Sequence, residues 1–80
     1  MHISALYIAC KPELQEQLTA KLSQLEWVDV QIQEPSKVIV TIEAVSEKEA
    51  EQKVKELETL HGVVAVQVSA YYCEETENSN

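Results

Sequence analysis

Apolar and polar positions divide the chain into four strand-like and two helix-like segments. Residues 3–10 are rich in strand-forming side chains. Their odd- and even-numbered positions are both largely apolar, which is typical of a strand in the middle of a sheet. Residues 28–33 and 38–44 alternate apolar and polar side chains, as half-buried strands do. The intervening Glu34-Pro35-Ser36-Lys37 predicts a tight turn with proline at its second position, and residues 63–72 predict a long final strand.

Helical spacing fills the two gaps between these strands. In the first gap, residues 12–25 carry leucines at spacings of four, four and three, which gives one apolar stripe on a helix with proline in its first turn. In the second gap, residues 47–60 follow a capping box, in which the Ser46 hydroxyl accepts from the Glu49 N–H and the Glu49 carboxylate reaches back to the Ser46 N–H. Gly62, the only glycine, falls where a helix end needs a left-handed residue.

The order strand, helix, strand, strand, helix, strand consists of two βαβ halves of similar length. Right-handed crossovers in both halves give an antiparallel sheet in the order 4-1-3-2 with both helices on one face. The predicted fold class is therefore α+β, a ferredoxin-like split βαββαβ sandwich. We expect residues 1–73 to form its single domain and the acidic residues 74–80 to form a frayed tail.

Two helices on one face leave the other face of the sheet uncovered. Alternation assigns the more apolar parity of each strand to the helices, for example Val64, Val66 and Val68 of the last strand. The predicted open face is a shallow trough of small residues flanked by tyrosines. It is formed by Ile3, Ala5, Tyr7, Ala9, Ile39, Thr41, Glu43, Ala65, Gln67, Ser69 and Tyr71.

The second strand adds a polar edge to this trough, with Asp29, Gln31 and Gln33 pointing outward. The carboxylates of Asp29, Glu34 and Glu43 could meet cations there. A bare patch on a small domain usually marks an interaction site. The alternatives are a homodimer through the same face and an ordinary half-polar sheet surface.

The charge balance restricts what can bind. Fourteen acidic residues against six lysines and no arginine give a formal net charge of −8. Such a surface repels nucleic acids and anionic membranes, and it attracts basic partners. No apolar run approaches the roughly 20 residues that a membrane-spanning helix needs. The start of the chain lacks the basic segment and cleavage site of a signal peptide, so we expect a cytoplasmic location.

Little in the sequence supports catalysis or a cofactor. Cys10 and Cys73 form no CxxC pair and are predicted to lie at opposite ends of neighbouring strands, so we expect two reduced thiols. His61 beside Gly62 is interpreted as a cation at a helix C-terminus, and a single glycine excludes a phosphate-binding loop. We therefore predict no enzymatic activity, no metal and no bound cofactor.

Three segments and an acidic pair carry a family resemblance: residues 2–8 (HISALYI), residues 35–44 (PSKVIVTIEA), residues 61–68 (HGVVAVQV) and Glu74-Glu75. With them, the chain from His2 to about Glu75 resembles the NapD-type assembly chaperones of periplasmic nitrate reductase. The sequence departs from the family pattern at two positions. Family members often carry an aliphatic residue in place of Tyr7 and a histidine in place of Cys73.

The resemblance implies that the protein binds the twin-arginine signal peptide of the nitrate reductase catalytic subunit, as a helix on the open face. It further implies that binding delays export until the molybdenum cofactor and the iron–sulfur cluster are in the enzyme. The negative charge and the uncovered trough suit a basic, apolar peptide. The alternative is a small ligand-binding or dimerisation regulatory module of the same fold, and a weak homodimer is compatible with either.

Overall fold

The computed structural model of the chain describes residues 2–73, and their side chains as far as residue 69. Its strands are β1 (His2–Cys10), β2 (Val28–Glu34), β3 (Lys37–Ala44) and β4 (Val63–Cys73). Its helices are α1 (Gln15–Gln24) and α2 (Glu47–Glu58). The predicted tail, residues 74–80, lies outside the described residues.

All neighbouring strands pair antiparallel in the order β2-β3-β1-β4. This is the predicted order 4-1-3-2, counted from the opposite edge of the sheet. The fold class is therefore confirmed as α+β and ferredoxin-like. The backbone register pairs Cys10 with Val63 and Cys73 with His2, so the two cysteines lie at opposite ends of the β1–β4 pair as expected.

A hydrophobic core lies between the sheet and the two helices. The central strands contribute fully buried side chains that pack with leucines of α1 and α2, and this cluster includes Leu6, Ile8, Val38, Val40, Ile42, Leu18, Leu22 and Leu57. Because β1 and β3 send one parity into this cluster, their other parity points away from both helices. One face of the sheet is therefore covered by helices, as predicted.

The first helix begins differently from the prediction. Pro12–Leu14 form a 3-10 turn, and the α-helix starts only at Gln15. It ends at Gln24, because the next residue, Leu25, is already extended and donates its N–H to the Leu22 carbonyl at 3.1 Å. The apolar stripe is nevertheless where the spacing placed it, since Leu18 and Leu22 are both buried in the core.

The second helix starts with the predicted capping box in a modified form. The Glu49 N–H donates to the Ser46 hydroxyl at 3.1 Å, but the Glu49 carboxylate accepts from the Val45 N–H at 3.2 Å instead of from Ser46. The bond from Val45, and secondarily the nearby Lys53 ammonium, lowers the pKa of Glu49. The helix N-terminus is therefore tied to the residue that follows β3.

Gly62 has a different role from the one predicted for it. The helix ends at Glu58, and Gly62, with φ of 97°, belongs to a turn closed by the Val63 N–H on the Leu60 carbonyl at 3.2 Å. A Cβ at this position would lie 3.0 Å from the Leu14 Cβ. Glycine is therefore required both by the left-handed backbone and by the close approach of the start of β4 to the turn before α1.

Irregular pairing at the edge strands corrects two assignments made from strict alternation. On β2 the register shifts between Val30 and Ile32, so that Ile32 pairs with Ile39 and Gln33 with Val38. Ile32 is therefore on the open face and 48% exposed, while Gln33, predicted to face outward there, stands opposite a core residue. A one-residue slip reverses the side on which every later residue points.

The second correction concerns Val64 on β4. Ala9 pairs with Ala65 and Cys10 with Val63, which leaves Val64 as an extra residue between two paired positions. Val64 was predicted to enter the core, but it is 64% exposed. Val66 and Val68 do pack against the core, as predicted. The bulge explains the error, because an extra residue is left outside the alternating pattern.

Candidate functional site

The candidate site is the sheet face that points away from α1 and α2. Residues paired across neighbouring strands share a face, so the register arranges the side chains in rows that run across the strands. We call this surface the open face. It consists of Ile3, Ala5, Tyr7, Ala9, Asp29, Ile32, Glu34, Lys37, Ile39, Thr41, Glu43, Ala65 and Gln67.

The row across the middle of the open face is its most apolar part. Ile39 pairs with Ile32 on one side and with Tyr7 on the other, and Tyr7 pairs in turn with Gln67. Tyr7 is 36% exposed and Ile32 is 48% exposed, so substantial apolar area remains accessible. The alanines at positions 5, 9 and 65 beside this row leave room for another chain to approach closely.

The row toward the β2–β3 turn carries both signs of charge. Glu34 pairs with Lys37, and Lys37 pairs with Ala9. The Lys37 Nζ lies 2.9 Å from the Glu34 Oε1 and 4.8 Å from the centroid of the Tyr7 ring. Interaction with the Tyr7 side chain, followed by that with the Glu34 carboxylate, raises the pKa of Lys37.

Gln15, the first residue of α1, holds this turn from the helix side. Its amide nitrogen donates to the Glu34 carbonyl at 2.7 Å and the Lys37 carbonyl at 3.2 Å, and its amide oxygen accepts from the Ser36 N–H at 2.9 Å. Ser36 has φ of 64°, and its carbonyl accepts from the Cys10 N–H at 3.0 Å. These bonds fix the positions from which Glu34 and Lys37 project.

The rows on the other side of the apolar row are polar and acidic. The Gln31 amide nitrogen donates to the Asp29 Oδ2 at 2.8 Å and to the Thr41 Oγ1 at 3.3 Å, which orders the β2 edge of the open face. The Glu43 side chain is exposed in the next row, where Glu43 pairs with Ile3. Two carboxylates therefore border this end of the open face.

The backbone beneath Glu43 is supported from the helix layer. Its N–H donates to the Trp27 carbonyl at 3.1 Å, and its carbonyl accepts from the Lys53 Nζ at 3.3 Å. The same Lys53 ammonium lies 5.0 Å from the Trp27 ring and 3.2 Å from the Glu49 carboxylate. Trp27, in the segment between α1 and β2, is half-buried and packs against the core.

The structure brings together nearly all of the predicted site residues. Ile3, Ala5, Tyr7, Ala9, Ile39, Thr41, Glu43, Ala65 and Gln67 share the open face. Ser69 is the extra residue of a bulge on β4, and its hydroxyl donates to the Ala5 carbonyl at 3.1 Å. The backbone of Tyr71 pairs with Ser4, and its side chain lies outside the described part of the chain.

Sequence reasoning missed two members of the open face. Lys37 could have been found, because it has the same parity as Ile39 and the prediction started β3 one residue too late. Ile32 could not, because nothing in the alternation of β2 marks the bulge that turns it outward.

Two cavities lined by described residues lie away from the apolar row of the open face. A cavity of about 260 Å³ between α2 and the sheet is lined by Ser4, Ala50, Val54 and Val68 together with charged residues of α2. A second, of about 250 Å³, lies beside Trp27 and Lys53. Among the described residues no three His, Cys, Asp or Glu side chains converge as metal ligands. Over the same residues, no helix is long and apolar enough to cross a membrane.

Comparison with known proteins bears directly on the family. A profile of the NapD protein family matches residues 1–75 of the chain. The fold is similar to the solution structure of the E. coli Tat proofreading chaperone protein NapD, with a TM-score of 0.79 at 21% sequence identity. That match covers 91% of this chain and 79% of the other. No curated protein sequence gives a significant match.

Proposed function

This protein belongs to the NapD family, and we propose that it binds the twin-arginine signal peptide of the periplasmic nitrate reductase catalytic subunit along its open face. NapD is a family of chaperones and not of enzymes. The E. coli protein with a similar fold is a Tat proofreading chaperone. The chaperone role follows from the family, and the client and its binding surface are what we propose here.

The observation that carries the proposal is the uncovered apolar row. Tyr7, Ile39 and Ile32 span three adjacent strands, and both outer members remain substantially exposed. A signal peptide has an apolar segment that readily forms a helix, and an apolar helix face can pack on such a surface. Exposed apolar area of this kind usually marks an interaction site.

Charge supports the same client. A twin-arginine peptide is basic, and the protein carries a formal net charge of −8. The carboxylates of Asp29, Glu34 and Glu43 border the apolar row at both ends of the open face. Such complementarity accelerates association and orients the peptide, while burial of apolar area supplies most of the affinity.

Peptide binding would act as a checkpoint on export. A signal peptide held by the chaperone is withheld from the export machinery, so export waits until the molybdenum cofactor and the iron–sulfur cluster are inserted into the catalytic subunit. The chaperone binds neither group itself. Because the peptide has to be captured before export, we infer that the protein acts in the cytoplasm.

Titration of the full chain with a synthetic copy of this signal peptide tests the proposal. We expect heat of binding in a calorimeter, and amide chemical-shift changes concentrated on the strands that form the open face. A scrambled peptide of equal charge serves as the control. Absence of binding, or shift changes confined to α1 and α2, would overturn the proposal.

A second copy of the chain is the competing occupant of the open face. It would make the protein a dimerisation or small-ligand regulatory module of the same fold. Sedimentation at several concentrations distinguishes the chaperone from the regulatory module, because a client-binding chaperone should be largely monomeric at micromolar concentration. A tight dimer that buries the open face and does not dissociate when peptide is added would favour the alternative.

A further inference from the structure

A positive charge of the protein itself already lies on the open face. The ammonium of Lys37 is stacked over the Tyr7 ring, 4.8 Å from its centroid, and is paired with the Glu34 carboxylate at 2.9 Å. The three residues come from three different strands and meet at the boundary between the charged row and the apolar row. An aromatic ring and a carboxylate that share one cation form a small cation-binding site.

We propose that Tyr7 and Glu34 form a binding site for one guanidinium group of the client peptide, and that Lys37 occupies this site in the free protein as an internal competitor. The inference rests on the proposed function and adds the position of an arginine side chain and a self-occupied state. The client must then displace Lys37 from the Tyr7 ring.

The backbone that carries the site is held in place, and the ammonium that occupies the site lies at the end of a long side chain. Tyr7 is on a central strand and is flanked by Ile39 and Gln67, its partners on the two neighbouring strands. Glu34 is the last residue of β2, and its carbonyl is held by the Gln15 amide at 2.7 Å. The Lys37 ammonium, in contrast, is at the end of a flexible side chain and can move away without any change in the backbone.

Guanidinium chemistry suits this site better than an ammonium does. An arginine side chain is planar, stacks on an aromatic face and can donate two parallel hydrogen bonds to one carboxylate. An ammonium is more strongly hydrated and interacts with the same groups as a point charge. An arginine can therefore displace Lys37 favourably. A lysine in the peptide would replace one ammonium by another, with no gain in free energy. The site thus favours arginine over lysine.

Removal of Lys37 gives the main test. Calorimetry on the full chain, with a synthetic peptide in which an Arg-Arg pair precedes an apolar segment, compares the wild type with Lys37→Met. We expect the variant to bind about two- to fivefold more tightly, which is the range of an exposed cation–π contact. Lys55→Met is the matched control, because Lys55 is exposed in the last turn of α2, on the opposite side of the sheet.

A double-mutant cycle with Tyr7 tests whether the ring is the shared partner. In a Tyr7→Leu background, which keeps apolar area but removes the aromatic face, Lys37→Met should give a smaller gain than in the wild-type background, because only the Glu34 carboxylate is then left to be released. Replacement of the Arg-Arg pair by Lys-Lys in the peptide should weaken binding to the wild type more than binding to Tyr7→Leu. Glu34→Gln should weaken binding of the arginine peptide.

The free protein supplies a readout that does not depend on the client. Protons on the Lys37 side chain should show an upfield ring-current shift in the wild-type NMR spectrum, and the shift should vanish in Tyr7→Leu. If Lys37→Met and Lys55→Met tighten binding equally, the gain is general electrostatics and the inference is wrong. It is also wrong if Lys37→Met binds more weakly. If the ring-current shift is present and no variant binds the peptide, the proposed function has failed and the inference fails with it.

Discussion

Ile42 and Ile39 on β3 show how differently the two faces of one sheet are used. Ile42 is fully buried between the sheet and the helices, in the hydrophobic core. Ile39 lies three residues earlier and points to the opposite side, where it is half-buried between Tyr7 and Ile32. The residue type is the same, so hydrophobicity alone does not separate a core residue from a residue of the open face. The layer that covers the residue makes the difference.

On the covered face the apolar area is buried on folding, whereas on the open face part of it stays exposed. Burial of apolar surface stabilises a fold by roughly 25 cal/mol per Å². On the covered face that gain is part of the free energy of folding. On the open face, Tyr7 and Ile32 keep apolar area exposed, and burial of that area can still stabilise a complex with a partner. Four measurements, from the largest expected effect to the smallest, test this division.

The largest effect is expected from truncating an isoleucine on each face of β3. Ile42→Ala should lower the free energy of unfolding by about 2–5 kcal/mol, since it leaves a cavity in the core. Ile39→Ala should cost about 1 kcal/mol or less, because its neighbourhood is partly solvated. Urea denaturation checks both. Equal losses would show that the two faces do not differ in their contribution to folding.

The next effect is on binding of the client peptide. Here changes on the open face should matter and changes on the helix side should not. Ala65→Glu places a bulky charge on the open face, and Tyr7→Ala removes the ring from the apolar row. Each should weaken peptide binding by about tenfold, which corresponds to about 1.4 kcal/mol. The exposed Glu51→Ala on α2 is the control and should leave the dissociation constant unchanged. Comparable effects of all three changes would mean that the peptide binds elsewhere.

A smaller effect on the free energy of unfolding is expected from acid, through the Glu49 carboxylate that caps the N-terminus of α2. The pKa of Glu49 is lowered by the Val45 N–H and by Lys53, so its contribution to stability is complete above the pKa of the unfolded state. That contribution is lost as the pH falls through the lower pKa of the folded state. Glu49→Gln keeps an acceptor for the Val45 N–H but does not titrate.

Urea titrations between about pH 6 and pH 3 measure this difference. The wild type should lose more stability over that interval than Glu49→Gln does. Parallel losses in the two proteins would show that the capping carboxylate is not what the acid disrupts.

The smallest effect is expected at the turn that joins β2 to β3. Ser36 adopts a left-handed φ of 64°, which costs a non-glycine residue about 1 kcal/mol. Ser36→Gly removes that strain but adds freedom to the unfolded chain, so a net gain of about 0.5 kcal/mol is expected. Thermal unfolding measures it. A loss of stability would indicate that the Ser36 side chain itself contributes to the hairpin.

Most of the fold could be predicted because it depends on repeated local patterns. The strands, the leucine spacing of the first helix and the Ser46–Glu49 cap all appear in the structure close to their predicted positions. Nine of the eleven predicted site residues share the open face, with Ser69 at a bulge and Tyr71 outside the described side chains. The errors fall where regular alternation stops.

Ile32 and Val64 show why the rest could not be predicted. Both follow the apolar parity of their strands, and both are turned outward by a register shift at an edge strand. The contact between Lys37 and Tyr7 likewise needs two positions on different strands to be brought into adjacent rows. Such contacts depend on how the strands align with one another, and the sequence of one segment alone does not determine that alignment.

The amino-acid order alone determined that this chain folds as two strand–helix–strand halves with a surplus of negative charge and one sheet surface left bare. That much follows from side-chain periodicity, which is a property of each segment taken separately. Tertiary structure decided which apolar residues remain outside and which cation lies on the tyrosine ring. Strand pairing can slip by one residue at little cost at a sheet edge, and only the assembled sheet fixes the alignment.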